Sequence, residues 1–190
     1  MATDLQRKLQ VCHGTTKMRR KTIQSRGFSL LELLIVVAVV LVLAAITIPH
    51  LLRSRIAANE ASAANAIRQI SMAEVSYSST YSAVGFAPDL ATLGSPVGPC
   101  TADVTHACIL DSVISSGGKD GYTFFAAGFA AGGGSVNTAF VASSAPQNFN
   151  KSGVRMFCAA TDAGTLRVKQ GSPGATPAPD VVTCMSYPIL

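Results

Sequence analysis

A chain of 190 residues is long enough for one compact domain with an extension, or for two small domains, but not for a large multidomain enzyme. An apolar share of 48% excludes a disordered chain, and a charged share of 13%, about half that of a soluble domain, excludes an ordinary soluble protein. The net charge of +5 resides wholly in residues 1–27, where seven Lys/Arg face one acid, Asp4; residues 28–190 hold eight bases against nine acids, so their overall charge offers no phosphate-binding surface and no nucleic-acid partner is expected.

Residues 1–27 read as a basic cytoplasmic leader, with Arg19, Arg20, Lys21 and Arg26 directly before an apolar run. That run, Phe28 to Ile48, has 21 residues and one ionisable side chain, Glu32. At a rise of about 1.5 Å per residue it spans about 31 Å as a helix, which matches the hydrocarbon core of a bilayer. Fifteen of its residues are Leu, Ile, Val or Phe, together worth roughly −5 to −9 kcal/mol of insertion free energy, against about +3 for one carboxylate at mid-bilayer. Insertion wins. Lys/Arg beside a span stay in the cytoplasm, so residues 28–48 read as a single-pass inner-membrane helix with the body exported. A secretory signal has a shorter apolar region, typically about 7 to 15 residues, and a small-x-small cleavage site.

Residues 49–82 place Ile56, Ala63, Ile67, Ile70, Tyr77 and Tyr81 at mostly three- and four-residue steps, the stripe of an amphipathic helix. Pro49 is read as a kink within one helix of about 50 residues, not as its end. Residues 83–121 are loop-like, punctuated by Gly85, Pro88, Gly94, Pro96, Gly98, Pro99, Gly117 and Gly118. Within 122–190, short strands are predicted at Tyr122–Ala131, Ala139–Ser143, Val154–Ala159 and Thr165–Val168, with Asp162-Ala-Gly164 as a turn and Gly171–Asp180 irregular. The fold class is α+β: a long N-terminal helix, transmembrane then amphipathic, packed on an antiparallel sheet of about four strands. No internal repeat is present.

Signals for catalysis are weak. His13, His50 and His106 lack metal-ligand spacing, and the body carries no Ser-His-Asp or Cys-His constellation. Gly117-Gly118-Lys119-Asp120 lacks the upstream Gly and following Ser/Thr of a phosphate-binding loop. Gly132 to Gly134 is a turn, the pairs Phe124-Phe125 and Tyr77, Tyr81 read as core and helix–sheet contacts, and Asn150-Lys-Ser152 is a weak glycosylation sequon. No enzyme activity, cofactor or metal is expected.

The junction Arg26-Gly27-Phe28-Ser-Leu-Leu-Glu32-Leu-Leu-Ile-Val-Val, followed by Pro49, resembles the N-terminus of type IV prepilins and the related pseudopilins. The likeness covers the leader and the long helix, about a third of the chain. It implies that a membrane aspartic peptidase cuts between Gly27 and Phe28, that the Phe28 amine is then methylated, that Glu32 becomes the fifth mature residue, and that Pro49 sits at the family's usual kink. It also implies other copies and pilin-like subunits as partners, with an inner-membrane assembly platform driven by a cytoplasmic motor ATPase. The leader is long for this family, and Met18 to Gly27 would itself be a typical short one, which suggests translation from Met18.

Cleavage would remove Cys12 and leave Cys100, Cys108, Cys158 and Cys184, an even number suited to two disulfides in an oxidising compartment, with three pairings open. The resemblance favours Cys158 with Cys184, pinning the tail to the sheet as in the family's C-terminal disulfide region, and Cys100 with Cys108 across a short loop. Gly153-Val-Arg-Met-Phe-Cys158 also looks like strands of pilin-like headgroups.

Glu32 is a carboxylate about one turn inside an apolar span, where an ionisable group is a functional candidate by default. Cleavage would create a cation at Phe28, about 6 Å back along the helix, and an intermolecular Glu32–Phe28 pair between packed helices would fix their axial register. Leaving either charge buried alone costs about 3 to 5 kcal/mol. The competing reading is a Glu that snorkels to the interface. At the level of function the expectation is a pilus subunit reaching an extracellular filament. Its rivals are a type II secretion pseudopilin in a short periplasmic filament and a membrane-tethered exported enzyme or sensor.

Overall fold

The computed structural model describes residues 27–95, 99–161 and 165–190. Helix α1 runs from Leu30 to Thr80, and the chain divides into two units, Met1–Val42 and Leu43–Leu190. In the first unit residues 27–42 are all exposed: an apolar helix with no broad polar face that stays exposed among the described residues has the pattern of a segment made for lipid or for other helices. By length and composition α1 can cross a membrane.

Pro49 lies inside α1. Lacking an N–H, it cannot bond the carbonyl of Ala45 one turn back. Nearby, the hydroxyls of Thr47 and Ser54 donate to the carbonyls of Leu43 and His50 at 2.7 and 3.0 Å, bonds of a kind often found where helices bend. From residue 60 onward one face is buried: Glu60, Ala63, Ala66, Ile67, Ile70, Ser71, Ala73, Glu74 and Tyr77. The three- and four-residue steps between them are the helical period made visible.

That face packs on an antiparallel sheet of five strands in sequential order: β1 Gly118–Lys119, β2 Tyr122–Ala130, β3 Asn137–Pro146, β4 Arg155–Ala160 and β5 Arg167–Gln170. The α+β class therefore holds, with five strands where about four are expected. Two residues of β1 are too few to show any alternation, so composition gave no sign of them. Strand β3 extends beyond Ala139–Ser143 at both ends, and β5 begins two residues later than Thr165. The Asp162-Ala-Gly164 turn lies outside the described residues.

The sheet is covered on both sides. Phe140, Ala142, Phe157 and Ala159 face the core beneath α1, whereas Val141, Ala145, Met156, Cys158 and Ala160 face a second core formed with Ala178, Cys184 and Tyr187 from the C-terminal segment. Strands buried on both faces lose polar alternation and read as continuous apolar runs, which is how MFCAA of β4 reads. The segment Gly171–Asp180 is irregular but not idle. Ala178 accepts a hydrogen bond from Ser143 Oγ at 2.8 Å, and Asp180 caps a short helix, α4 (Val181–Met185), by accepting from the Thr183 N–H at 2.7 Å. Correspondingly, Phe124 and Phe125 split: Phe124 is core, and Phe125, next along the strand, points outward at 36% exposure.

Residues 83–121 hold more order than loop punctuation implies. One-turn helices α2 (Leu90–Leu93) and α3 (Ser112–Ser115) form there, and the first is seeded by Asp89, whose carboxylate accepts from the Thr92 N–H at 2.8 Å. Gly85, at φ +82°, lets the chain turn so that the Phe86 N–H donates to the Asn137 carbonyl and the Asn137 N–H to the Val84 carbonyl, at the start of β3.

Candidate functional site

Two places concentrate chemistry: the start of α1, and the carboxylates further along it. Gly27, Phe28 and Ser29 precede the helix, with Phe28 74% exposed. The Leu33 N–H bonds the Ser29 carbonyl at 3.2 Å, so the Gly27–Phe28 peptide lies outside the intrahelical ladder. A Cβ added at Gly27 would meet nothing within 4 Å. Nothing in the described residues therefore demands glycine for packing, while an unhindered, unpaired peptide is what a protease needs.

Glu32 stands exposed in the first turn of α1, where the helix dipole favours an anion. It has no side-chain partner among the described residues. In this uncleaved chain Phe28 is not helical, so the Glu32–Phe28 spacing differs from that of a continuous helix. The basic leader, Met18 and Cys12 lie outside the described residues.

The sequence reading overlooked the carboxylates of the buried stripe. Glu60 is 6% exposed, and its Oε1 accepts the N–H groups of Val154 and Arg155 at 2.9 and 3.0 Å. Its Oε2 accepts from Arg155 Nε at 2.7 Å. One side chain thus satisfies two backbone donors at the start of β4 and pairs with a guanidinium. Asn59, beside it, donates to the Ser152 carbonyl at 2.9 Å. Gly153 completes the junction: a Cβ there would run into the Tyr122 ring, whose hydroxyl donates to the Arg155 carbonyl at 2.9 Å.

Glu74 is fully buried. Its Oε2 accepts from the Ala87 N–H at 2.8 Å, and its Oε1 has no hydrogen-bond partner. Burial pushes its carboxyl up from 4.5 to about 8, opposed by the Ala87 bond and aided by the charge of Asp89. The signal that marks both residues is plain once sought: Glu60 and Glu74 fall on the same steps as Ala63, Ile67, Ile70 and Tyr77, and a carboxylate on a buried stripe needs a partner.

Disulfides join Cys100 to Cys108 and Cys158 to Cys184, with Cα separations of 6.1 and 5.8 Å. The second ties β4 to α4 across the C-terminal core. The first closes a loop that Tyr77 holds against α1 by donating to the Val104 carbonyl at 2.7 Å.

Residues 24–48 match the family model of the prokaryotic N-terminal methylation motif. The match takes in Gly27, Phe28 and Glu32, and ends one residue before Pro49. Comparison with curated proteins and with solved structures gave no match. The matched motif and the apolar helix behind it support the type IV prepilin signature and membrane anchoring.

Proposed function

We propose that this chain, whose residues 24–48 carry the prokaryotic N-terminal methylation motif, is a prepilin. It is stored in the inner membrane, cut between Gly27 and Phe28 by a prepilin peptidase, methylated at Phe28, and polymerised through α1 into a filament that reaches the cell surface. Its work is self-association, not catalysis. A cytoplasmic motor ATPase acting through a membrane platform would extract it, because exchanging lipid for neighbouring helices releases little hydrophobic free energy.

The observation that carries this reading is the coincidence, at one helix end, of an exposed non-helical Gly27–Phe28 peptide, a solitary Glu32 and a helix apolar on every side. In the assembled fibre, Glu32 of one copy would neutralise the Phe28 amine of another. The uncleaved chain lacks that amine, so processing would license assembly.

Mass spectrometry of the protein purified from membranes tests the first step. The expected N-terminus is methylated Phe28, and Gly27→Val should accumulate as uncut precursor. A chain retaining residues 1–27 would end the proposal and favour a tethered enzyme or sensor. Electron microscopy of sheared surface fibres tests the second step: fibres containing this chain support a pilus, and retention in the envelope with a secretion defect on deletion points to a pseudopilin.

A further inference from the structure

A polar cleft of about 420 Å³ opens between α1 and the turn before β4, lined by Arg55, Asn59, Asn148, Lys151 and Ser152. The turn is stiff. The N–H groups of Lys151 and Ser152 both donate to the Asn148 carbonyl, at 3.1 and 2.9 Å, and Asn59 clamps Ser152 to the helix. Arg55 and Lys151 are exposed, and among the described residues neither is ion-paired. Glu60 is engaged with Arg155, and Asp120 accepts from the hydroxyl of Ser62, two turns beyond Arg55 on α1, at 2.6 Å. The near-neutral sum over residues 28–190 conceals this local pair of cations.

Its height decides its use. Arg55 follows Ile48, the last residue of the apolar run, by seven positions, or about 10 Å of helix. Headgroups extend about 5 to 8 Å beyond the hydrocarbon core, and a long basic side chain reaches back to that layer. We infer that this cleft binds the phosphodiester of an anionic phospholipid in the exported-side leaflet, clipping the body to the membrane surface while the subunit is stored. The cations supply charge, and the Asn148 side-chain amide, without a partner among the described residues, supplies a directed donor. The inference rests on the membrane-anchored reading above.

The test uses the full chain in phosphatidylcholine bicelles titrated with phosphatidylglycerol, followed by the NMR shifts of the Asn148 and Lys151 amides. A parallel arm adds inorganic phosphate. Saturable shifts with phosphatidylglycerol are expected, weakened about fivefold by Arg55→Gln or Lys151→Gln and about 25-fold by both, since each cation near an anionic surface is worth about 1 kcal/mol. Lys169→Gln, on β5, should change nothing. Unchanged titration in the double variant overturns the inference. So does saturation by inorganic phosphate at equal concentration, which would make this a site for the free ion. So does a double variant that titrates normally but polymerises poorly, which would assign the cleft to a neighbouring subunit's carboxylates. A chain that fails to float with liposomes refutes the anchor itself, whereas one that floats but shows no lipid preference refutes only the clip.

Discussion

Along residues 30–52 of α1 the large apolar side chains are exposed, and Glu32 finds no partner among the described residues; along residues 60–77 one face, with Ile67, Ile70 and Tyr77, is buried, and Glu60 and Glu74 are buried on it. The helix carries three acids, and each meets apolar surroundings differently. Glu60 is satisfied on both oxygens, Glu74 on one, and Glu32 on neither. A carboxylate completed within the fold is a structural part; Glu74, half completed, is sealed in the core, whereas Glu32 is exposed and open to a partner from outside. The difference lies in what faces the helix, not in the helix.

The largest effect should come from Glu32→Gln. It leaves the cleavage site intact but would strand the Phe28 amine in the packed fibre, at about 3 to 5 kcal/mol, so subunit association should fall by roughly 150- to 5000-fold. Processing and insertion should stay normal. Filament yield per processed subunit, measured by sedimentation, checks it, and wild-type yield would show that Glu32 needs no partner from another copy.

Next is Glu60→Ala, which tests the opposite case. It strips two backbone N–H groups at the β4 start of their acceptor and leaves Arg155 unpaired. Unsatisfied buried donors cost about 1 to 3 kcal/mol each, so a loss of about 3 kcal/mol is expected in denaturant unfolding followed by a tertiary probe of the headgroup. Cleavage at Gly27 should be unaffected. If stability holds, the junction of α1 with β4 is carried by apolar packing alone.

Glu74→Gln gives a pH signature. The folded carboxyl titrates near 8 and the ordinary value is 4.5, so the folded state holds the proton more tightly. Its stabilising effect is complete below about pH 4.5 and is lost as pH rises through 8. The wild type should therefore lose stability across that window and level off above it. Glutamine keeps an acceptor for the Ala87 N–H and carries no charge, so the variant should be clearly the more stable at pH 9 and nearly level with the wild type at pH 5. Parallel stability curves for the two proteins would show that Glu74 stays ionised in the fold.

The contrast also explains how much was legible beforehand. Residues 28–48 declare themselves because nothing in the fold competes with their composition, and the motif at their start is read locally. The stripe of Ile67, Ile70 and Tyr77 was equally plain, because helical period is a property of neighbours in sequence. Glu60 was not, because its partners, Val154 and Arg155, lie more than ninety residues away, and a polar residue on a helix reads as surface until the strand opposite is known. The second core was hidden for the same reason. Ala178, Cys184 and Tyr187 sit in a Pro/Gly-rich tail whose order comes from the far face of β3 and β4, not from any period of its own.

Arg155→Ala is the smallest expected effect and the sharpest control. Its guanidinium stacks near the Phe157 ring at 5.7 Å as well as pairing with Glu60, yet its side chain is about half exposed, at 49%. Solvent screens such a pair, so its removal should cost about 1 kcal/mol or less. The two backbone donors to Glu60 survive the change, since they belong to the main chain of Val154 and Arg155. If Glu60 is held chiefly by the backbone, Arg155→Ala is therefore much milder than Glu60→Ala, with the double variant close to Glu60→Ala alone. Equal losses for the two single variants would mean that the ion pair, and not the paired N–H groups, secures the helix to the sheet.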